Sequence, residues 1–178
     1  MSASRMLVIL DLDETLVHVP DHPIGRRADF TVLGHEGYRR PHLDDFLGEL
    51  RGRYEVAIWT TARRDYAEEI LTAIVPWRSD LAFVWAREDC SLHTDEATGH
   101  QGAVKDVGGV SGEGYDLARV VMVDDSPEKH PRSSANLIPV TPFLGDPGDA
   151  ELPVVAAFIH SLAKQADVRT VEKRRWRT

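Results

Sequence analysis

Residues 6–18 read MLVILDLDETLVH, and the rest of the chain is organised around them. Met6 to Leu10 is an unbroken apolar run, which predicts a strand covered on both faces, as in a parallel sheet. Asp11, Leu12, Asp13, Glu14 and Thr15 then crowd its C-terminal end. On an extended chain, residues two apart point the same way, so Asp11 and Asp13 are expected to present both carboxylates to one spot. Carboxylates that close repel unless a cation or a shared proton intervenes, and oxygen-only ligands suit a hard cation such as Mg2+. Taken alone, the stretch fits a strand followed by a solvated acidic turn equally well.

The chain has 178 residues, 42% of them hydrophobic and 28% charged, which is the make-up of one globular domain with a real core. No apolar run approaches the roughly 20 residues that span a bilayer. The opening MSASRMLVIL is too short in apolar residues for a signal-peptide core, so no membrane association is expected. A single cysteine, Cys90, excludes an internal disulfide, reads as a partly buried filler, and fits a reducing, cytoplasmic setting. The formal charge of −8 argues against a general nucleic-acid binder but leaves room for a local phosphate site. A monomer is the expected state.

Taken in order, Val17 to Arg27 contains Pro20, Pro23 and Gly25 and reads as loop. Asp29–Leu33 and Gly37–Arg39 are expected to form a short hairpin, and Pro41 to open a helix with Leu43, Phe46, Leu47 and Leu50 on one face. Tyr54–Trp59 is a second β-rich run, ending at Thr60 and Thr61. A helix is predicted over about Arg64–Val75, a strand over Leu81–Ala86, and a hairpin or polar excursion over Arg87–Gly102. Gly108–Gly114 reads as a turn, since it lacks the spacing and the Lys-Ser/Thr ending of a phosphate-cradling loop. Arg119–Val123 is a further strand, followed by a short helix or turn at Ser126-Pro127-Glu128. Asn136–Val140 is a last strand, and Glu151–Lys164 an amphipathic helix. The whole chain is expected to be one domain, its core about 6–164 and its basic tail, 168–178, frayed and solvated.

Alternating strands and helices predict an α/β fold, a Rossmann-like three-layer sandwich around a mainly parallel sheet. Three strands end in polar residues: the first at Asp11, the second at Thr60, the fourth at Asp124 and Asp125. In an open parallel sheet such ends share one rim, where ligands bind. Two acidic pairs, a hydroxyl and Lys105 are therefore expected to converge, which a lone Asp-x-Asp would not imply.

These residues also carry a resemblance. DLDETLVH resembles the first signature of haloacid-dehalogenase superfamily phosphatases, WTTARRDYAEEI the second, and VKD and VVMVDDSPE the third and fourth. Within that superfamily, RRPHLDDFL, WAREDC, VKD and VDDSP look like phosphatases of the RNA polymerase II C-terminal-domain type, in the same order. The resemblance implies an Mg2+-dependent phosphatase acting through an aspartyl-phosphate. Asp11 would be the nucleophile and Asp13 the acid and base, with Thr15 holding Asp13 in place. Asp11, the backbone carbonyl of Asp13 and a carboxylate of Asp124/Asp125, with Asp125 preferred, would hold the metal. Thr60 and Lys105 would take phosphate oxygens, with Arg87 as a further substrate contact. Apart from the resemblance, Arg63 and Arg64 open a helix, where the macrodipole disfavours cations, so a nearby anion would account for them as well as simple solvation does, and Thr61 and Arg63 beside Thr60 are expected substrate contacts. Two departures stand out. Small members usually read Asp-Asn where this chain has Asp124-Asp125, and Thr-Ala-Ser where it has Thr60-Thr61-Ala62.

Other readings carry less. Eight scattered histidines and one cysteine show no zinc spacing. His18 could border the site, though a surface imidazole is expected. Trp59, Trp77 and Trp85 are expected in or beside the core. A phospho-accepting receiver also gathers acids, a hydroxyl and a lysine on an α/β rim, but has no use for a second Asp two residues past the acceptor. A small phosphate ester or a nucleic-acid terminal phosphate is the alternative substrate to a phosphoprotein. Only about 45 residues separate Thr15 from Thr60, and about as many separate Thr60 from Lys105, so no large cap domain is expected.

Overall fold

The computed structural model describes residues 5–94, 99 and 101–177. The strands are β1 (Leu7–Leu10), β2 (Val17–His18), β3 (Phe30–Val32), β4 (His35–Arg39), β5 (Glu55–Trp59), β6 (Val84–Trp85), β7 (Ser91–Thr94), β8 (Gln101–Val104), β9 (Val120–Asp124) and β10 (Leu137–Pro139). The helices are α1 (Leu43–Arg53), α2 (Arg64–Ile74), α3 (Gly108–Gly112) and α4 (Glu151–Leu162). Five strands form one parallel sheet in the order β10-β9-β1-β5-β6, which confirms the expected α/β architecture. β1 is central, flanked by β5 on one side and β9 on the other, so the strand order reverses at β1. Its C-terminal end is the crevice where open α/β sheets bind ligands.

Alternate residues of the sheet serve two cores. Val8, Leu10, Val56, Ile58, Val121 and Val123 face one way, into a cluster that also takes the buried faces of α1, α2 and α4. Leu7, Ile9, Ala57, Trp59, Val120 and Met122 face the other way, against Val107 and Val110 of the α3 region. Every residue of β1 is buried, as the unbroken apolar run requires. The second face has a thin cover, and Phe83, Trp85 and Tyr115 complete it. Trp59 is core, whereas Trp77 and Trp85 are only partly buried.

Several elements differ from the sequence expectations. Val17 and His18 are not loop: they pair antiparallel with Tyr38 and Arg39, making β2-β4-β3 a small sheet. A two-residue strand whose partner lies some twenty residues on has no periodicity to show. Gly108–Gly112 is a short helix rather than a turn, held by Val110, which is fully buried. The strand expected over Leu81–Ala86 narrows to two edge residues. The excursion contains the β7-β8 hairpin, while positions 95–98 and 100 lie outside the described residues.

The expectation of a frayed tail is corrected. Val168 is fully buried and Lys173 nearly so, its ammonium donating to the carbonyls of Ala135, Val168 and Val171. Trp176 donates Nε1–H to Pro139 O at 2.8 Å and stacks on Phe158 with ring centroids 5.2 Å apart. Basic composition hid an apolar anchor. Among the described residues no helix is long and apolar enough to cross a membrane.

Candidate active site at the sheet rim

The register that pairs Leu10 with Val123 sets Asp11 beside Asp124, and Asp11 N–H donates to Val123 O at 3.0 Å. The chain then leaves the sheet abruptly. Leu12 O accepts from the amides of Thr15, Leu16 and Val17, and Glu14 takes a left-handed φ of 57°. A left-handed glutamate is uncommon and marks a turn that its surroundings hold in place. Asp13 therefore sits at a bridge to Val17 that opens a turn, not on an extended strand, and its carboxyl is not one of the three that cluster at the rim.

The carboxylates that do converge are those of Asp11, Asp124 and Asp125, which offer oxygens within 4.8 Å of one another. Lys105 lies between two of them, almost wholly buried, with Nζ 2.6 Å from Asp11 Oδ1 and 2.5 Å from Asp124 Oδ2. Asp124 is the most committed of the three. Its Oδ2 also accepts from His130 Nε2 at 2.8 Å, and its Oδ1 from the Ser126 amide at 2.8 Å. Asp125 is bound more loosely, by Thr15 Oγ at 3.2 Å and Ser126 Oγ at 3.3 Å. Both oxygens of Asp125 thus remain open to a further partner.

Electrostatics sort the carboxyls into two kinds. Burial, and then the charge of Asp124, push Asp11 above the ordinary carboxylate range against the pull of Lys105. Burial would raise Asp124 too, but the charge of Lys105 and the hydrogen bond and charge of His130 outweigh it and hold Asp124 low. Burial and the charge of Asp124 raise Asp125. Desolvation opposes the charge on Lys105, yet Asp11 and Asp124 together keep it firmly protonated. A buried lysine shared by two carboxylates leaves the rim short of positive charge. The remaining donors are all oxygens, which fits a hard divalent cation.

Asp13 is mostly buried and its carboxyl is raised by desolvation, against an opposing hydrogen bond from Tyr66. Tyr66 OH donates to Asp13 Oδ1 at 2.5 Å from the first turn of α2. Thr15 does not hold Asp13, as the resemblance implied: its hydroxyl reaches Asp11 Oδ2 at 3.4 Å and Asp125 Oδ1 at 3.2 Å. Tyr66 looked like one more residue of a helix's apolar face, and only its position at the rim end of α2 distinguishes it. His130 was lost among scattered histidines.

Thr60 ends β5 nearly fully buried, and its hydroxyl oxygen accepts from the Ala62 amide at 3.0 Å, which leaves the O–H proton to donate elsewhere. Thr61 and Arg87 are placed together, with Arg87 Nε donating to Thr61 O at 2.9 Å. Arg63 is not brought to the site: it pairs with Asp65 and stays exposed, while Arg64 pairs with Glu88 and Asp89. His18 is not a surface imidazole, since it is mostly buried and bonded to Glu14 at 3.0 Å.

Arg40 braces the rim from below. Its fully buried guanidinium forms a bidentate pair with Asp149, both contacts at 2.8 Å, and donates to Thr15 O at 3.1 Å and Thr141 O at 2.9 Å. One side chain thus joins the Asp13 turn to the loop ahead of α4.

Known proteins resemble this chain in sequence and in fold. Human carboxy-terminal domain RNA polymerase II polypeptide A small phosphatase 1 is 30% identical over 177 residues, covering 95% of this chain and 64% of its own length. Phosphatase Herzog of Drosophila melanogaster is 31% identical, covering 94% of this chain and 47% of its own length. The chain therefore spans less than two thirds of either relative. Among solved structures, that of Fcp1, an essential RNA polymerase II CTD phosphatase, matches with a TM-score of 0.70 at 18% identity, over 93% of this chain and 69% of that one. A predicted HAD-like family hydrolase from Porphyromonas gingivalis matches with a TM-score of 0.55 at 13% identity, over 92% of this chain and all of its own. These two likenesses establish a HAD-like fold. The profile of one family runs over residues 6–169, from the apolar run of β1 to beyond α4, and the chain belongs to that family, the NLI interacting factor-like phosphatases.

Proposed function

We propose that this chain is an Mg2+-dependent phosphatase that hydrolyses phosphoserine or phosphothreonine in proteins through an aspartyl-phosphate on Asp11. The observation that carries this reading is the division of labour between the first two aspartates. Asp11 lies in the carboxylate cluster against Lys105, while Asp13 stands apart on Tyr66 with a raised carboxyl. A phospho-accepting receiver needs the first arrangement but has no use for the second.

In the proposed reaction an Asp11 oxygen attacks phosphorus in line with the ester bond, and Asp13 gives its proton to the departing serine or threonine oxygen. Asp13, now a carboxylate, takes a proton from water as that water attacks the aspartyl-phosphate. The bond to Asp11 breaks and inorganic phosphate leaves. A carboxyl pushed upward by burial suits this double duty, being protonated for the first step and basic enough for the second. Thr60 O–H and the Arg87 guanidinium would meet phosphate or nearby substrate oxygens, and Lys105 keeps Asp11 oriented. Asp11, the backbone carbonyl of Asp13 and Asp125 would hold Mg2+, with Asp125 favoured over the already committed Asp124. When bound, the cation supplies the positive charge that phosphoryl oxygens and clustered carboxylates both require.

Tyr66→Phe should lower kcat by roughly tenfold, the worth of one hydrogen bond to a charged group, and leave KM nearly unchanged. Steady-state kinetics would read this, and an unchanged kcat would show that Asp13 needs no such hold.

Among the described residues no large cap covers the rim: the segment between β1 and β5 holds only the β2-β4-β3 sheet and α1. An uncapped site has little with which to grip a small ester, so binding energy must come from an extended substrate. The test is kcat/KM on a phosphoserine peptide and on free phosphoserine, in Mg2+ and again in EDTA. A preference of at least about tenfold for the peptide, silenced by EDTA and restored by Mg2+, is the expected result. Equal efficiency would favour a small-ester phosphatase, and full activity in EDTA would remove the metal from the account.

A further inference from the structure

Lys105 Nζ lies 2.6 Å from Asp11 Oδ1, so a phosphoryl group on its way to Asp11 brings its oxygens within reach of the same ammonium. To take one of them, the ammonium must loosen its 2.5 Å contact with Asp124 Oδ2. Asp124 is buried, and a buried carboxylate left without a partner is strongly unfavourable. Something else has to hold that oxygen while the lysine changes partners.

His130 follows the 3-10 turn Pro127–Lys129, and its side chain is fully buried. Its Nε2 stands 2.8 Å from Asp124 Oδ2, the oxygen that Lys105 also takes. Asp124 accepts from an ammonium and from the Ser126 amide, so it is a carboxylate and Nε2 carries the proton between them. The other ring nitrogen, Nδ1, is buried and has no partner among the described residues. An unpaired buried nitrogen is a cost that a space-filling leucine would avoid, so the ring is kept for the one bond it makes. The main chain around it is fixed as well. Lys105 N–H donates to Lys129 O at 2.8 Å. Ser133 Oγ donates to Lys105 O at 3.0 Å and accepts from Val107 N–H at 2.9 Å. The segment that carries His130 therefore pins the backbone of Lys105 and leaves the response to its side chain.

We infer that His130 is a positioning residue that holds Asp124 Oδ2 when Lys105 turns toward the substrate phosphate, so that the exchange strands no buried carboxylate. The inference rests on the phosphatase reading above. Two donors on one oxygen allow one of them to leave. Without the imidazole, phosphate must compete with Asp124 for the ammonium. That competition weighs on the bound substrate and the transition state alike, so KM should rise more than kcat falls.

The experiment uses His130→Leu, which fills the space without a donor, and His130→Gln, whose amide nitrogen falls near the Nε2 position. Inorganic phosphate is titrated by calorimetry into the Mg2+-loaded protein and Mg2+ into the metal-free protein, and kcat and KM are read on a phosphoserine peptide. His130→Leu should weaken phosphate about tenfold, the low end for a hydrogen bond to a charged group. KM should rise by a similar factor while kcat falls less than about threefold. Mg2+ affinity should stay at the wild-type value, since Asp11 and Asp125 keep their oxygens. His130→Gln should restore phosphate binding, whereas a space-filling role predicts no advantage of Gln over Leu. Should His130→Leu fail to fold, His130→Asn, whose amide stops at the Nδ1 position, takes its place with the same expectations. Unchanged phosphate affinity, equal weakening of phosphate and Mg2+, or a Gln variant no better than Leu would each overturn the inference. Wild type that binds phosphate but turns over no ester would sink the phosphatase reading alone, and the phosphate titrations would still decide the role of His130.

Discussion

Asp11→Asn should abolish turnover, with kcat falling roughly 10^4- to 10^6-fold, the scale on which enzymes lose a covalent nucleophile. Asparagine keeps the shape of the side chain and one acceptor for Lys105, so the fold has no reason to fail. It should even gain. A carboxyl raised in the folded state binds more protons folded than unfolded, so the protein loses stability as pH climbs out of the ordinary carboxylate range. Burial and the Asp124 charge place Asp11 in that class. The metal-free Asp11→Asn protein should therefore melt at or above the wild type at pH 8, and the difference should shrink toward pH 4. Calorimetric melts across that window check the sign. A variant that is inactive because it unfolds would melt lower, and the two explanations separate cleanly.

The second large effect concerns Arg40. Arg40→Met leaves the Asp149 carboxylate and the carbonyls of Thr15 and Thr141 facing an apolar stem in a fully buried position. Removing one partner of a buried ion pair costs about 3–5 kcal/mol, chiefly through the charge left behind. Asp149 retains some exposure, which places the expected loss near the lower figure. Urea denaturation would show it as a fall in the midpoint at constant slope. The double variant Arg40→Met/Asp149→Leu should recover much of the loss, since the stranded charge is gone. Because Arg40 also holds the Thr15 carbonyl under the Asp13 turn, kcat should fall in the single variant even under conditions where it is fully folded. Stability within about 1 kcal/mol of wild type would show that the turn does not depend on this brace.

The parts of the fold that were legible in the sequence have a common physical basis. Leu7–Leu10, Glu55–Trp59 and Val120–Asp124 are apolar because parallel strands are buried on both faces, and they end in Asp11, Thr60 and Asp124 because the rim is where polarity is allowed. That logic needs only local patterning. What it missed depends on partners distant in the chain. Tyr66 bonds to a residue 53 positions away, and Arg40 to one 109 positions away. Lys173, in a tail read as solvated, is buried against Ala135. In each case an amphipathic side chain does something its composition does not announce, because its stem packs while its head finds a specific acceptor. The Asp13 turn was misjudged for a related reason. Strand geometry was extended past Leu10, whereas three amides converging on Leu12 O end it there.

The central claim is that Asp11 carries the phosphoryl group. A single turnover of radiolabelled 4-nitrophenyl phosphate, whose leaving group needs no general acid, by Asp13→Asn, quenched in acid and digested, tests it most directly. Loss of the Asp13 base should slow hydrolysis of the intermediate, so that label accumulates on the protein in a form cleaved by hydroxylamine, as an acyl phosphate is. The expected result is label on the peptide that contains Asp11 and on no other. Label on a different residue, or wild-type turnover in purified Asp11→Asn, would contradict the account.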